Sequence, residues 1–325
     1  MSLLVTGGTG FLGAHLARYA LNVGGEDHVF VLDRYPVAGR VADILDRITI
    51  LEADICNTEE VEAIIARYGI DRVAHFAFIL GSPSPGQMID YAKVQLLGTA
   101  NVLEAARKHG VRRVLFASSV AAYGQQQADV LTEVLVPNPS DPYGAAKLWC
   151  EATVRHYSER LGLDTVTIRY GSTYGLGRAA RGSYASGMLA IPQQMHYMAR
   201  VEDAVHGKPV TMPRGDALAD FSYAADAAKA GWLALTAECL PHRLYNAPSK
   251  RMSVCEFTAA MRKALPNADI VEDPLELPGN AHAPMDCSRI VEDLGFEPDH
   301  SLESGITDYI ARIRAQDEFE KKDII

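Results

Sequence analysis

The chain has 325 residues, 48% of them hydrophobic, and a formal net charge of −10 at pH 7. This size and composition predict a globular protein about two domains long, with a sizeable core. The acidic balance and the lack of any basic run argue against a nucleic-acid partner.

Targeting and metal-binding signals are weak in this sequence. The five cysteines are scattered and odd in number, so they predict neither a disulfide framework nor a zinc site. The opening "MSLLVTGG" enters a strand at once and leaves no room for a secretory signal, and no apolar run approaches the length of a membrane span. We therefore expect a cytoplasmic protein with reduced thiols, no bound metal and no membrane partner.

Short apolar runs alternate with longer amphipathic runs through the first half of the chain. The apolar runs predict buried parallel strands at 2–6, 28–33, 48–51, 72–78, 112–118 and 164–170. Amphipathic runs predict helices at 11–22, 58–69 and 98–110. This alternation predicts an α/β fold with a Rossmann-type, doubly wound parallel sheet.

The pattern changes after Tyr170. Residues 171–187 are rich in Gly and Ser, and the Pro-containing segments 191–217 and 273–284 predict loops around short helices. We expect a helix at 219–238, one more strand at 243–248, and a frayed tail from Gln316. The predicted organisation is a larger domain of residues 1–170, joined by 219–248, and a smaller C-terminal lobe of 171–218 and 249–325.

A glycine-rich turn, "TGGTGFLG" at 6–13, follows the first strand and opens the first helix. Such a helix start offers unpaired N–H groups to a pyrophosphate. Asp33 ends the second strand twenty residues after Gly13, where a carboxylate can accept hydrogen bonds from both ribose hydroxyls of an adenosine. Because it would repel a 2′-phosphate, NAD is favoured over NADP. Arg34 keeps NADP as the less favoured alternative.

Tyr143 and Lys147 lie four residues apart in "SDPYGAAKLWCEA", on one face of a helix predicted to begin at Pro142. Ser140 or Asp141 can cap that helix. An adjacent ammonium and an oxidised nicotinamide ring would both stabilise the phenolate of Tyr143. Bringing a tyrosine pKa from about 10 to near neutrality needs about 4 kcal/mol, a plausible sum for two nearby charges. Isolated pairs of this spacing are common, so their context decides.

A second polar group lies about twenty residues earlier. "LFASSVAAYG" at 115–124 ends a predicted strand with Ser118 and Ser119, at the sheet edge where open α/β folds bind ligands. A Ser119 hydroxyl there could hold a reacting oxygen in line with Tyr143. A turn or capping serine is the alternative interpretation of Ser119.

Taken in this order, these residues resemble the extended short-chain dehydrogenase/reductase superfamily, in particular its NAD-dependent epimerase/dehydratase branch. The resemblance covers almost the whole chain. Besides the motifs above it includes "ADI" at 53–55, "HFAF" at 75–78, and "MDCSRIVEDLGFEP" at 285–298, which resembles the closing helix and strand of that family.

The resemblance implies roles for particular residues. The larger domain would bind NAD and the smaller lobe the substrate, with Ser119, Tyr143 and Lys147 as the catalytic set. The implied cofactor-binding residues are Gly7, Gly10, Phe11, Leu12, Gly13, Asp33, Asp54, Ile55, Ala77, Tyr143, Lys147 and Tyr170, with Asp54 on the adenine. The resemblance also implies a homodimer, formed by the helices at about 87–109 and 142–161, although the apolar stripes of these helices are equally explained by packing on the sheet.

The chain departs from the pattern of nucleotide-sugar enzymes in this family. Gly171 and Ser172 replace an Asn, Ala219 precedes Asp-Phe where Arg is usual, and Leu277 aligns with a second Arg. A diphosphate without guanidinium partners would lose charge-assisted hydrogen bonds, which argues against a nucleotide-sugar substrate.

Other candidates surround the predicted site. Phe78 replaces a glycine and Gln95 an asparagine, either reshaping the nicotinamide pocket or as neutral changes. His75 is predicted to be a packed core histidine. The candidate substrate-binding residues are Ser119, Ser172, Arg178, Arg181 and His196, although a solvated loop residue is the favoured interpretation of each of the last three.

The sequence thus predicts an NAD-dependent oxidoreductase acting on a carbinol of a small polar substrate, such as a sugar, a sugar acid or a hydroxy compound. One alternative is a nucleotide-sugar epimerase or dehydratase; dehydration is the weaker branch, because Val120 and Ala121 follow Ser119 where an acid pair would be needed. A second alternative is a regulator that senses NAD without turnover, although such a protein would not need Tyr143 and Lys147.

Overall fold

The computed structural model describes residues 2–178, 200–213, 218–273 and 283–322. In chain order the strands are β1 (Leu3–Thr6), β2 (Val29–Asp33), β3 (Ile48–Glu52), β4 (Arg72–His75), β5 (Arg113–Ser119), β6 (Thr165–Tyr170), β7 (Ser172–Tyr174), β8 (Val210–Pro213), β9 (Leu218–Tyr223), β10 (Leu244–Asn246), β11 (Lys250–Ser253) and β12 (Ile270–Asp273).

The helices are α1 (Phe11–Asn22), α2 (Thr58–Tyr68), α3 (Met88–Ala92), α4 (Thr99–Lys108), α5 (Pro142–Arg160), α6 (Arg200–Val205), α7 (Ala224–Thr236), α8 (Val254–Ala264), α9 (Ser288–Leu294) and α10 (Leu302–Lys322). A π-helical turn, Lys93–Gly98, joins α3 to α4, and 3₁₀ segments cover 38–47 and 120–122. In the part of the chain described, no helix is long and apolar enough to cross a membrane.

A seven-stranded sheet of order β3-β2-β1-β4-β5-β6-β10 forms the centre of the fold. All its neighbouring strands are parallel. The strand order reverses between β1 and β4, and in doubly wound sheets the crevice at this point is the usual ligand site. The predicted Rossmann-type fold is therefore confirmed.

Side chains of each central strand alternate between two helical layers. Leu3 and Val5 of β1 pack with α1 and α7, whereas Leu4 packs with α2, α4 and α5. Because both faces are covered, these strands read as continuous apolar runs in the sequence. The same two layers hold the ends of β1, β4 and β5 at one edge of the sheet.

A second apolar cluster lies between the small sheet β11-β9-β7 and helices α6, α8 and α10. Its members include Tyr174, Phe221, Phe257 and Ile310. The domain boundaries predicted at 170/171, 218/219 and 248/249 stay a prediction, although β10 does belong to the large sheet and α7 packs on it.

The expectation of a helix throughout 219–238 was wrong for its first residues. Leu218–Tyr223 form β9, which pairs with β7 and β11, and only Ala224–Thr236 form α7. The physical reason is that Phe221 and Tyr223 alternate into the second apolar cluster, a period that suits a strand.

The C-terminal end also differs from its prediction. Residues 316–322, expected to fray, continue α10, since Ile310 and Ile313 bury one face of this helix and Gln316 donates to Glu320 one turn later. Arg312 of α10 lies 3.7 Å from Asp43 in the 38–47 segment.

The closing strand expected after α9 is absent from the described residues 295–300. There Gly295 ends α9 in the left-handed conformation and Phe296 packs into the main core, so the chain turns inward without a partner strand.

Candidate functional site

The glycine turn after β1 lies at the switch point of the sheet. Gly7 has a φ of +67°, and a Cβ at this position would lie 2.7 Å from the main-chain nitrogen of Ala77, which follows β4. The missing side chain therefore lets β1 and β4 approach at their carboxyl ends. Gly10 immediately precedes α1, and no side chain of the described residues caps this helix. Its first N–H groups are available to an anionic group such as a pyrophosphate.

Asp33, at the end of β2, lies against this turn. One of its carboxylate oxygens accepts hydrogen bonds from the main-chain nitrogen of Thr9 at 2.9 Å and from its hydroxyl at 2.7 Å. Burial raises the pKa of Asp33, and the Thr9 hydrogen bonds oppose that shift. Position and contacts both suit a residue that receives a ribose beside the glycine turn.

Arg34 and Asp54 form an ion pair of 3.3 Å at the rim of this cleft. Arg34, which kept NADP as an alternative, is thus paired with a carboxylate. Ile55, the next residue, is buried against Gly98, and its carbonyl accepts from Asn101 at 2.9 Å. A cofactor contact of Ile55 stays a prediction.

The end of β5 and the start of α5 converge beside the glycine turn. The Ser119 hydroxyl accepts from the main-chain nitrogen of Ala121 at 3.2 Å, which leaves its own hydrogen free to be donated. Asp141 caps α5 by accepting from the main-chain nitrogens of Tyr143 and Gly144. A Cβ at Gly144 would collide with the Ala121 carbonyl, so glycine here brings the start of α5 onto the turn after Ser119.

Lys147 lies one turn into α5 and is 3% exposed. Its Nζ donates to the main-chain carbonyl of Ala117 at 2.6 Å and lies 5.7 Å from the centre of the Tyr143 ring. Burial lowers the pKa of Lys147 to about 7. The structure therefore brings the predicted tyrosine and lysine together at the carboxyl end of β5.

Phe78 completes this cluster. Its ring centre is 3.4 Å from Nζ of Lys147, and its ring meets that of Tyr143 edge-on at 5.9 Å. Gln95 is fully buried in the π-helical turn and hydrogen-bonds both main-chain groups of Ile79, the residue after Phe78. Both departures from the family pattern thus lie at the site.

His75 is the core residue that the sequence predicted. Its two ring nitrogens pair with the hydroxyls of Thr6 at 2.6 Å and Thr99 at 3.1 Å. Burial lowers the pKa of His75 to about 3, so the ring stays neutral. Its two hydrogen bonds link β1 to α4.

The remaining predicted site residues are less tightly grouped. The Tyr170 hydroxyl is buried against Gly231 of α7. Any contact of Tyr170 with a cofactor would therefore have to come from the main chain of Tyr170. Ser172 is half-buried in β7. The Arg178 guanidinium carbon is 5.6 Å from the centre of the Phe11 ring, which places this arginine beside the start of α1. Arg181, His196 and Leu277 lie outside the described residues.

Sequence reasoning missed a buried ion pair beneath the site. Arg169 of β6 donates two hydrogen bonds to Glu151 of α5, at 2.9 and 2.6 Å, and the Ser118 hydroxyl donates to the same carboxylate at 2.5 Å. The available signal was spacing, because Glu151 follows Lys147 by four residues and shares its helix face.

Comparisons with known proteins identify the family of the chain. Residues 3–247 match the model of the NAD dependent epimerase/dehydratase family. A UDP-glucose 4-epimerase of Halalkalibacterium halodurans is 31% identical over 241 residues, which are 72% of this chain and 70% of that protein. A dTDP-glucose 4,6-dehydratase of Mycobacterium tuberculosis is 34% identical over 187 residues, 54% of each chain.

Solved structures show the same fold along the chain. A crystal structure of UDP-glucose 4-epimerase from Thermus thermophilus in complex with NAD has 27% identity and a TM-score of 0.77, and the match covers 97% of this chain and 99% of that one. A dTDP-glucose 4,6-dehydratase from Bacillus anthracis in complex with NAD matches with a TM-score of 0.78 at 19% identity, a likeness of fold alone, over 99% of each chain.

Proposed function

Since the chain belongs to the NAD dependent epimerase/dehydratase family, we propose that Ser119, Tyr143 and Lys147 carry out its hydride-transfer chemistry. The chain is an NAD-dependent enzyme of the short-chain dehydrogenase/reductase type, and NAD is the cofactor of this family. The observation that carries the proposal is the convergence of Lys147 and the Tyr143 ring at the carboxyl end of β5.

The glycine turn, the start of α1 and Asp33 fit the cofactor. The uncapped N–H groups of α1 would receive the pyrophosphate, and the Asp33 carboxylate would receive the adenosine ribose. Lys147 would donate to the nicotinamide ribose. NAD, when bound, supplies a hydride acceptor in one direction of the reaction and a hydride donor in the other.

In the oxidative direction, Tyr143 as phenolate removes the proton from the substrate hydroxyl while the hydride leaves the carbinol carbon. The Ser119 hydroxyl donates to the reacting oxygen and orients it, and its acceptor bond from Ala121 holds that hydroxyl in place. The Lys147 ammonium stabilises the phenolate. The products are the carbonyl compound, a reduced cofactor and a proton on Tyr143, which is lost to solvent.

For the substrate we propose a small polar carbinol without a nucleoside diphosphate. Support comes from Ala219 and Leu277, at the two positions where the family resemblance implies arginines in nucleotide-sugar enzymes. The second candidate is nucleotide-sugar epimerisation, which the similarity to UDP-glucose 4-epimerases favours. Dehydration has less support, since Val120 and Ala121 bear no acid or base. A non-catalytic NAD sensor loses its support, because the relatives are enzymes and the Tyr143–Lys147 pair is present.

We also propose that the enzyme is a homodimer. Leu97, between α3 and α4, and Trp149 of α5 are 46% and 43% exposed. Both lie on the segments that the family resemblance assigned to a dimer contact, and exposed apolar side chains there support an interaction site. The cytoplasmic location stays a prediction.

The test is a product analysis of the purified protein with NAD. Sugars, aldonic and uronic acids, small hydroxy acids and UDP-glucose are supplied in turn, with detection of both NADH and sugar isomers. A dehydrogenase forms NADH in step with product, whereas an epimerase interconverts UDP-glucose and its 4-epimer with no net NADH.

The matched control is Tyr143→Phe. This variant should retain NAD affinity within a few-fold and lose at least ~10²-fold in kcat, the scale of a positioned acid/base. Turnover equal to that of the wild type would remove Tyr143 from the mechanism.

A further inference from the structure

Phe78 covers the ammonium of Lys147, and we propose that it competes with the bound dinucleotide for that ammonium and so keeps the cofactor exchangeable. This inference rests on the proposed role of Lys147 in holding the nicotinamide ribose. It concerns how tightly the cofactor is held, not which residue transfers the proton.

The argument begins with the hydrogen-bonding capacity of Lys147. An ammonium has three N–H donors. One is used by the Ala117 carbonyl at 2.6 Å. The Phe78 ring face, with its centre 3.4 Å from Nζ, attracts a second through a cation–π contact, far inside the limit of about 6 Å for such contacts. One N–H is left for a ribose that offers two adjacent hydroxyls.

The position of Phe78 is fixed by its neighbour in the chain. The Ile79 main-chain nitrogen donates to Oε1 of Gln95 at 3.0 Å, and the Ile79 carbonyl accepts from Nε2 of Gln95 at 2.7 Å. A single fully buried side chain thus satisfies both backbone groups of the residue after Phe78. Movement of the main chain that carries Phe78 away from Lys147 would strain or break this pair of bonds.

Gln95 is itself anchored to α5. It lies in the π-helical turn Lys93–Gly98, a helix form often found at functional sites. Its carbonyl accepts from the Thr99 hydroxyl at 2.7 Å and from the Cys150 thiol at 3.2 Å. Cys150 follows Lys147 by one helical turn on α5. Contacts through Ile79, Gln95 and Cys150 therefore link Phe78 to the helix that carries Lys147.

The consequence concerns the reaction cycle. An enzyme that produces NADH must release it in every turnover, whereas an epimerase returns the hydride and gains from retaining its cofactor. A contact that offsets part of the ribose interaction suits the first case. Phe78 therefore weakens the hold on the dinucleotide and so favours its exchange, and Gln95 is the residue that positions Phe78.

The experiment measures the dissociation constant of NAD by calorimetry, without substrate, for wild type, Phe78→Leu and Phe78→Tyr. It repeats the Phe78→Leu change in a Lys147→Met background. Leucine keeps an apolar side chain but removes the ring, and tyrosine keeps the ring as a matched control. The NAD content of each protein after purification is a second readout.

We expect Phe78→Leu to bind NAD at least five-fold more tightly than wild type and to retain more NAD through purification. Phe78→Tyr should match wild type, and Phe78→Leu should have no effect when Lys147 is Met, because the two residues act through one contact. Gln95→Leu, which frees the Ile79 segment, should shift affinity in the same direction by less.

Unchanged or weaker NAD binding in Phe78→Leu would overturn the proposal. Tighter binding that persists in the Lys147→Met background would overturn it too, since the ring would then act by bulk alone. Loss of turnover in Tyr143→Phe is measured separately, so failure of the catalytic assignment leaves these binding results interpretable.

Discussion

The carbonyl of Ala117 accepts a 2.6 Å hydrogen bond from Nζ of Lys147 in an environment closed to solvent on nearly every side. This bond aims the ammonium at the carboxyl end of the sheet. A buried charge with few partners is unfavourable for folding, although the reaction needs it.

The first prediction is that Lys147→Met stabilises the protein at pH 6 by about 2–4 kcal/mol. Burial lowers the pKa of Lys147 from its ordinary 10.5 to about 7, whereas the Cys150 and Glu151 side chains of the same helix oppose that shift. Between these two pH values the unfolded chain binds more protons than the folded chain, so wild-type stability rises with pH in this window. The penalty is fully present below pH 7.

Urea unfolding of wild type and Lys147→Met at pH 6 and pH 10 tests this prediction. The stability difference should shrink to less than about 1 kcal/mol at pH 10. At this pH the lysine is neutral in the folded state, and the pH is close to the ordinary pKa that the lysine has in the unfolded state. Lys147→Arg serves as the control that keeps the charge, and it should be less stable than wild type. An equal gain for Lys147→Met at both pH values would contradict the prediction.

The second prediction concerns the buried pair of Arg169 and Glu151. Glu151→Gln should lower the free energy of unfolding by about 3 kcal/mol, because it leaves a buried guanidinium without its counter-charge. The double variant Glu151→Leu/Arg169→Met should recover most of this loss, since it removes both charges.

Denaturant unfolding of the single and double variants, with Glu104→Gln as an exposed comparison, gives the measurement. Glu104 pairs with Arg107 on the surface of α4, and exposed pairs of this kind contribute at most about 1 kcal/mol. A Glu151→Gln change as mild as Glu104→Gln would show that the buried pair has little effect on stability.

The third prediction concerns cofactor choice at Asp33. Asp33→Ala should raise the KM for NAD at least ten-fold and shift the ratio of kcat/KM toward NADP, because the carboxylate that would repel a 2′-phosphate is gone. Thr9→Val is the matched control, as it removes one hydrogen bond to Asp33 but retains the carboxylate. Steady-state kinetics with both cofactors would count against Asp33 as the determinant if the alanine variant kept the wild-type preference.

The fourth prediction concerns the proposed dimer. Trp149→Glu should convert the protein to a monomer at micromolar concentration, because burying an unpaired carboxylate in an apolar contact is strongly unfavourable. Val23→Glu, at a 66% exposed position at the end of α1, should leave the assembly unchanged. Light scattering after size exclusion gives the mass of each variant, and a wild-type protein with the mass of one chain would refute the dimer.

The sequence predicted the large sheet well because its signals were local. Six apolar runs became β1 to β6 within a few residues, and the run 11–22 became α1 with the same bounds. Parallel strands covered on both faces leave such runs, and glycine turns leave a recognisable spacing. Tyr143 and Lys147 could be placed together for the same reason, since helical periodicity fixes which residues share a face.

What the sequence could not predict depends on contacts distant along the chain. The residues of β9 carry a mixed pattern and become a strand only because β7 and β11 flank them. Glu151 and Arg169 are eighteen residues apart and meet only after β6 pairs with β5. The contact of Phe78 with Lys147 likewise could not be predicted from the sequence. The two residues lie on different segments, and Gln95 joins them from a third.

The last helix of the chain has a consequence for biosynthesis. Arg312 of α10 reaches Asp43, Asp43 pairs with Arg18 of α1, and Arg40 from the same 38–47 segment reaches the Thr9 carbonyl within the glycine turn. Because α10 begins at Leu302, far downstream of the glycine turn, a nascent chain can form its first strands early and still lack the support behind that turn. Competence to bind a dinucleotide should thus arise only after α10 has been synthesised.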